Sequence, residues 1–375
     1  MATRDGLWGY RDRFGDAFGR TYFRRFGPGV VASVGLGTYR GAPTDDADDA
    51  YRDVIALGLR SGVNHVDTAV NYRAGRSERA VGAALRQTAV DRESIIVATK
   101  GGFLPFAGEA PEDPGTYVRE RFVDTGIVDP HELAGGSHAI SSAYLDWSLD
   151  RSLDALGLDT IDCYYVHTPE TQLAVRSREA VYDRIEAAFN RLEERRLAGD
   201  IGAYGVATWE AFRVAEDDQK YLSLAAILDR AEAAGRAVGP DDDHGFKAIQ
   251  LPFNIVMADA FTRANQPAYA GDDDTAVDTN ERVSALEFAH EAGLSVVTSA
   301  SLAQGELVDA GAIPTGVASR LAGDTPAQRA LNFARSAPAV TVSLVGTTDP
   351  AHLRENVAAG TFDPLGASAF DAVFE

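Results

Sequence analysis

Eight short β-branched runs alternate strictly with longer segments of helical period, and no other feature constrains the fold as tightly. The predicted strands are Val30–Gly35, Val63–Asp67, Ile95–Thr99, Ile161–Val166, Ile201–Val206, Ala248–Leu251, Ser295–Thr298 and Val340–Val345. The segments Asp45–Ser61, Arg76–Thr88, Ser141–Leu156, Arg178–Leu197, Glu210–Gly235, Glu281–Ala292, Pro326–Ser336 and Pro350–Ala359 follow them in turn. Their apolar residues fall near i, i+3, i+4 and i+7, the helical pattern. Thr44-Asp45-Asp46 opens the first with cap-type residues, and Gly62, Gly157 and Gly293 stand where others stop. Strict alternation demands parallel strands joined by helical crossovers. Eight such units without an evident linker predict an α/β fold, a (β/α)8 TIM barrel of one domain; an open doubly wound sheet is the alternative. Residues 1–29 are expected to form an N-terminal extension capping the barrel, and residues 30–375 the barrel itself.

Long connections follow the third, sixth and seventh strands: Gly101–Ile140, Ala258–Asn280 and Ala300–Thr325. All are βα connections, which gather on the C-terminal face where barrel enzymes keep their chemistry. The 101–140 insertion, with Phe103, Phe106, Tyr117, Phe122 and His138, is expected to lie over that face and shape a pocket; a subunit contact is its other possible use. His131 and His138 with scattered acids make a poor metal constellation, so no metal is expected. The αβ connection Arg236–Lys247 carries Asp241-Asp242-Asp243, read as a solvated loop rather than a cation site.

Charge narrows the function. The chain's 56 acidic and 35 basic residues give a formal charge of −21, which repels phosphate backbones and anionic lipid, so neither nucleic acid nor a membrane surface is an expected partner. No uncharged apolar run reaches the roughly 18 residues needed to span a bilayer. Lys100, Lys220 and Lys247 are the only lysines, and so much acid with so little lysine resembles the composition of halophilic proteins. Cys163 is the only cysteine, so no internal disulfide can form. Arg24-Arg25-Phe26 faintly resembles a twin-arginine export signal, but the following Val30–Val34 is needed as a strand, and a cytoplasmic protein is expected.

The ends of three consecutive strands carry the chemistry. The second runs into Asp67, the third into Lys100 and the fourth into His167, delivering an acid, a cation and an imidazole to one barrel face. Tyr72 follows Asp67 closely enough to fold back over them. Taken singly, Asp67 could cap a helix, Lys100 could be a solvated strand end and His167 a structural histidine; their joint placement favours a site. A free phenol titrates near ~10. A neighbouring ammonium is expected to lower that value and make Tyr72 a usable acid near neutrality. Asp67 would hold Lys100 in place, and His167 would donate to a carbonyl oxygen and set its direction. Such a site has no electron source of its own and needs a bound hydride donor.

Gly62-Val63-Asn64-His65-Val66-Asp67-Thr68-Ala69 with Tyr72 and Ser77-Glu78, then Ala98-Thr99-Lys100 and Tyr164-Tyr165-Val166-His167, resemble the signatures of the aldo-keto reductases. The resemblance runs from about Val30 to Val357. It implies a catalytic tetrad of Asp67, Tyr72, Lys100 and His167 acting on a small carbonyl substrate, with NADPH, less often NADH, and no metal. It also implies cofactor contacts. Thr38 and Tyr39 fall in the first-strand segment; Gly35, Gly37 and Gly41 there are spaced wrongly for a Rossmann fingerprint. Gln250 matches the glutamine that bonds the carboxamide, and Leu302, Gln304 and Gly305 the loop across the pyrophosphate. Gly346, Thr347, His352, Glu355 and Asn356 match the adenosine end. Ser299 stands where many members have a stacking tyrosine, and Ala207-Thr208 where they have Ser-Asn. Gly346 takes the place of a basic residue and His352 that of an arginine, so NADP(H) is expected to be only mildly preferred over NAD(H).

Overall fold

Side chains two apart on a strand face the same way, and in this chain that period sorts the barrel's inside from its outside. The computed structural model describes residues 1–239, 243–269, 271 and 281–374. Twelve strands are found among them: β1 (Phe23–Phe26), β2 (Gly29–Ala32), β3 (Val34–Gly37), β4 (His65–Asp67), β5 (Ile96–Gly101), β6 (Ile161–His167), β7 (Ile201–Ala207), β8 (Phe246–Pro252), β9 (Ala264–Pro267), β10 (Arg282–Ser284), β11 (Ser295–Ser299) and β12 (Val340–Val345). Strands β3 to β8 with β11 and β12 close into an all-parallel barrel, with helices between successive strands. The expected barrel is therefore found, and the open sheet is not.

Ile96 and Ala98 of β5, Cys163 and Tyr165 of β6, Ala207, Ala248, Val297, Val342 and Leu344 form the inner core. The alternate residues, such as Val66, Val97, Tyr164, Val166, Ile249 and Val296, pack outward beneath the helices in the larger outer core. Asp67, Lys100 and His167 are in phase with the inner set. Register sets Asp67 beside Ala98, Lys100 beside Tyr165 and His167 beside Ala207.

The first predicted strand is two strands. Val30–Gly35 reads as one apolar run, but its first half belongs to β2, hairpinned antiparallel with β1, and the barrel begins at Val34. The break is at Ser33, whose N–H donates to Tyr22 and whose carbonyl accepts from Ser343. The boundary expected at residue 30 thus falls inside the hairpin. Arg24 of the twin-arginine pair donates to the Val340 and Arg335 carbonyls from β1. Ala2, ahead of the helix Arg4–Phe14, joins Leu7 of that helix and Phe26 and Val31 of the hairpin in the inner core. Burial of each larger member contributes about 1.5–3 kcal/mol.

Two predicted helices start later than expected. Glu210–Leu222 is a chain of turns, and the helix runs Leu224–Val238 because Ser223 caps it through the Ala226 N–H. Glu281 also precedes its helix: Arg282–Ser284 pairs with β9, and Ser284 caps the helix Ala285–Glu291. Asp241 and Asp242 lie outside the described residues, as does the Asn280 end of the sixth connection; Asp243 is paired with Lys247 at 2.9 Å.

Candidate active site

At the C-terminal end of the barrel, Lys100 is fully buried. Its Nζ donates to Asp67 Oδ1 and, at 2.8 Å, to the Thr68 carbonyl. Gln250 Nε2 donates to the other Asp67 oxygen at 2.8 Å, so both carboxylate oxygens are held. Burial lowers the Lys100 ammonium and raises the Asp67 carboxyl, each offset by the partner's charge. The Tyr72 ring lies 5.2 Å from Lys100 Nζ and meets the rings of Tyr39 (5.1 Å) and His167 (5.9 Å) edge to face.

The phenol departs from expectation. Burial pushes the Tyr72 hydroxyl well above the usual tyrosine range, and the Asp67 charge and Tyr39 push it further the same way. Loss of solvation outweighs any help from Lys100, whose charge is already matched by Asp67. Tyr72 is consequently a neutral phenol with its proton in place. Burial, Lys100 and His138 together hold His167 well below the ordinary histidine range, leaving a neutral imidazole whose Nδ1 has no partner.

One cavity of about 1310 Å³ opens from this cluster. Asp67, Tyr72 and His167 line its closed end, with Lys100 behind them. Thr38, Tyr39, Thr208, Gln250, Ser299, Leu302, Gln304, Gly305, Gly346, Thr347, His352, Glu355 and Asn356 all line the same cavity, so the structure brings the expected residues together. Thr38 is buried, its hydroxyl on the Asp67 carbonyl at 3.2 Å. Thr208 donates its N–H to the Gln250 carbonyl, while its buried hydroxyl is unpartnered. Ala300, Ala303, Gln304 and Gly305 have positive φ, wrapping the seventh connection along the cavity wall. Arg40 bridges the cleft to the Gln304 carbonyl at 2.7 Å. A long channel with orphaned hydroxyls and a looped wall fits an extended polar cofactor, and no group of three metal-binding side chains occurs among the described residues.

Several lining residues were not foreseen. Glu170 is buried and accepts from the Trp209 and Glu210 N–H groups at 2.7 and 3.0 Å; its other oxygen is unpartnered. Trp209, 38% exposed, and Lys220, paired with Glu210, line the outer wall. The lysine count was a usable signal for Lys220; nothing local marked Glu170. Of the insertion's aromatics, Phe103 alone reaches the cavity. Phe106 packs on Tyr117, and Phe122 on Trp147 of the helix Ser142–Leu156.

The family model described as "Aldo/keto reductase family" matches residues 33–228. The chain is 29% identical over 192 residues to a Pseudomonas D-threo-aldose 1-dehydrogenase, covering 51% of this chain and 52% of that enzyme. It is 28% identical over 216 residues to the Escherichia coli NADH-specific methylglyoxal reductase, covering 54% and 57%. The chain thus spans about half the length of these curated relatives. A Schizosaccharomyces pombe protein, provisionally named a voltage-gated potassium channel subunit beta, is 24% identical over 80% of this chain and 76% of its own. Among solved structures, a Bacillus halodurans aldo-keto reductase in holo form superposes with a TM-score of 0.61 at 20% identity, covering 94% of this chain and 95% of that one. A Klebsiella pneumoniae aldo/keto reductase in complex with NADP and acetate gives 0.56 at 18% identity, covering 94% of each.

Proposed function

The chain belongs to the aldo/keto reductase family, and on that premise we propose that it reduces an aldehyde or ketone to an alcohol, or runs the reverse, with Tyr72 as the general acid and Asp67, Lys100 and His167 completing the tetrad. The observation that carries the reading is a neutral phenol at the closed end of the cavity, beside a lysine held by Asp67 and an imidazole held neutral. A reduced nicotinamide, when bound, supplies the hydride.

The residues divide the remaining work. The substrate oxygen is received by the Tyr72 hydroxyl and the neutral His167 imidazole. As the carbonyl carbon gains its hydride, Tyr72 gives up its proton to the oxygen, and the positive charge of Lys100 stabilises the phenolate left behind. Asp67 and the Thr68 carbonyl fix Lys100, and Gln250 fixes Asp67. Thr208, Gln250 and Ser299 would hold the nicotinamide end, Leu302, Gln304 and Gly305 the pyrophosphate, and Gly346, Thr347, His352, Glu355 and Asn356 the adenosine. Arg40 and His352 are the basic residues on that arm of the cavity, a weak set for a second phosphate, which supports only a mild preference for NADP(H) over NAD(H).

Absorbance of NADPH and NADH with a panel of small aldehydes, at low and high salt, tests the proposal. Oxidation that needs the carbonyl is expected; tight nucleotide binding without turnover would replace it with a second reading, a nucleotide-holding barrel that serves a partner. That reading draws on the channel-subunit relative and on Ser299 and Thr208 standing where stacking and amide groups are usual.

A further inference from the structure

His138 belongs to the long insertion, yet it is fully buried behind His167. Its Nε2 lies 2.8 Å from the His167 carbonyl oxygen, and its Nδ1 lies 2.8 Å from Gln172 Nε2. Donor chemistry fixes the direction of every bond in this chain. Arg176 has only N–H groups to offer, and one of them reaches Gln172 Oε1. The amide oxygen of Gln172 therefore faces Arg176 and its NH2 faces His138, where it also donates to the His138 carbonyl at 3.0 Å. Nδ1 must accept, so the imidazole proton is on Nε2, pointing at the His167 carbonyl. Burial holds His138 down to about 4, so this neutral form persists through ordinary pH.

The carbonyl it grips is at a strained place. Thr168, next in sequence, has φ +45°, a left-handed conformation unfavourable for a β-branched residue. Its N–H is tied to the Ala207 carbonyl at 2.6 Å. The peptide between His167 and Thr168 is thus held from both sides as the chain turns out of β6, where the direction of the His167 side chain is set. Gly102 makes the approach possible: a Cβ there would fall 2.5 Å from the His167 carbonyl oxygen and 3.1 Å from His138 Nε2. Phe103 fills the remaining gap, edge to face with both His138 (4.9 Å) and His167 (5.3 Å).

We propose that His138 is a positioning residue for His167: through its Nε2–H it pins the strained turn after β6 and aims the imidazole at the substrate oxygen, with Arg176 and Gln172 setting its tautomer. This rests on the role given to His167 in the proposed carbonyl reduction. It also assigns part of the insertion a task at the site rather than at a subunit contact.

Two measurements separate the inference from the reading beneath it. NMR of ring-labelled histidine reads the His138 tautomer without any turnover: a protonated Nε2 beside a bare Nδ1 is expected, and the opposite tautomer would overturn the proposal even in an active enzyme. His138→Leu is then expected to lower kcat about 10–100-fold with nucleotide Kd nearly unchanged, since misplacing a catalytic group by an ångström has that scale. His138→Gln, which can present an amide N–H at the same place, is expected to recover most of the loss. Equal damage from both variants, or none from His138→Leu, would refute the positioning role. If His138→Leu fails to fold, Gln172→Leu, which removes the tautomer lock together with the bonds to the His138 carbonyl and Arg176 but leaves the His138 ring in place, is expected to give a smaller kcat loss, and unchanged kcat there would count against the proposal. Correct tautomer with no carbonyl turnover by the unaltered protein would sink the reductase reading instead.

Discussion

The two ends of the barrel are made of opposite materials. At the N-terminal end, Ala2, Leu7, Phe26 and Val31 close the interior with apolar side chains, and the buried Asp162 and Asn64 are answered, although the ring nitrogens of His65, packed on Phe26, are not. Asp162 accepts from Ala2 and Val97 N–H groups and from Arg92; Asn64 accepts from Ala32 and donates to the Val30 and Ser94 carbonyls. At the C-terminal end, the hydroxyls of Thr68, Thr168 and Thr208, Nδ1 of His167 and one oxygen of Glu170 are buried without partners. Each such group costs about 1–3 kcal/mol when left unanswered. A closed floor can be finished at folding, whereas a mouth built to receive a ligand keeps hydrogen-bonding capacity in reserve.

The contrast can be broken by substitution. Tyr72→Phe should have the largest effect, a loss of about 10²–10⁴-fold in kcat with nucleotide Kd preserved and little change in unfolding midpoint. At the other end, Leu7→Ala should do the reverse, costing about 2–5 kcal/mol in denaturant unfolding while leaving KM of the surviving folded protein unchanged. A Leu7→Ala protein with normal stability would remove the floor from the argument.

Thr208→Val sharpens the comparison. If its orphan hydroxyl is reserved for the cofactor, nucleotide affinity should fall by about 1 kcal/mol and the ligand-free protein should be no less stable. Unchanged affinity in titration calorimetry would make that hydroxyl a packing defect. Smallest is the pH effect. Because Tyr72 is raised, its acid form persists as pH climbs, so kcat/KM for reduction should stay level to about pH 9, while alcohol oxidation, which needs the phenolate, should keep rising. A reduction profile falling near neutrality would mean that the phenol is acidified instead.

Much of the mouth was legible because it obeys local rules. Asp67, Lys100 and His167 end strands whose alternate residues point inward, and a period of two carries them to one face. The floor was not, because Ser33 is the one polar residue of Val30–Leu36, and a lone serine in an apolar run does not by itself mark a handover between strands. Turns after β7 were misread as helix since Ala211, Phe212 and Leu222 are buried at near-helical spacing, although Ser223 was the true cap. The tautomer chain from Arg176 to His167 joins the insertion to the stretch after β6, and only folding reveals which donor meets which acceptor. The same holds for the phenol, whose burial no local motif reports.

The family match begins at residue 33, immediately after β2 ends at Ala32. A version lacking residues 1–32 would be a pipe open at both ends, with Ile96, Ala98 and Val342 wetted from below. Lys100 and Asp67 would then gain a second route to water, and the pair that steadies the phenol would lose its dry surroundings. The short segment ahead of the match is therefore what keeps the cavity from draining.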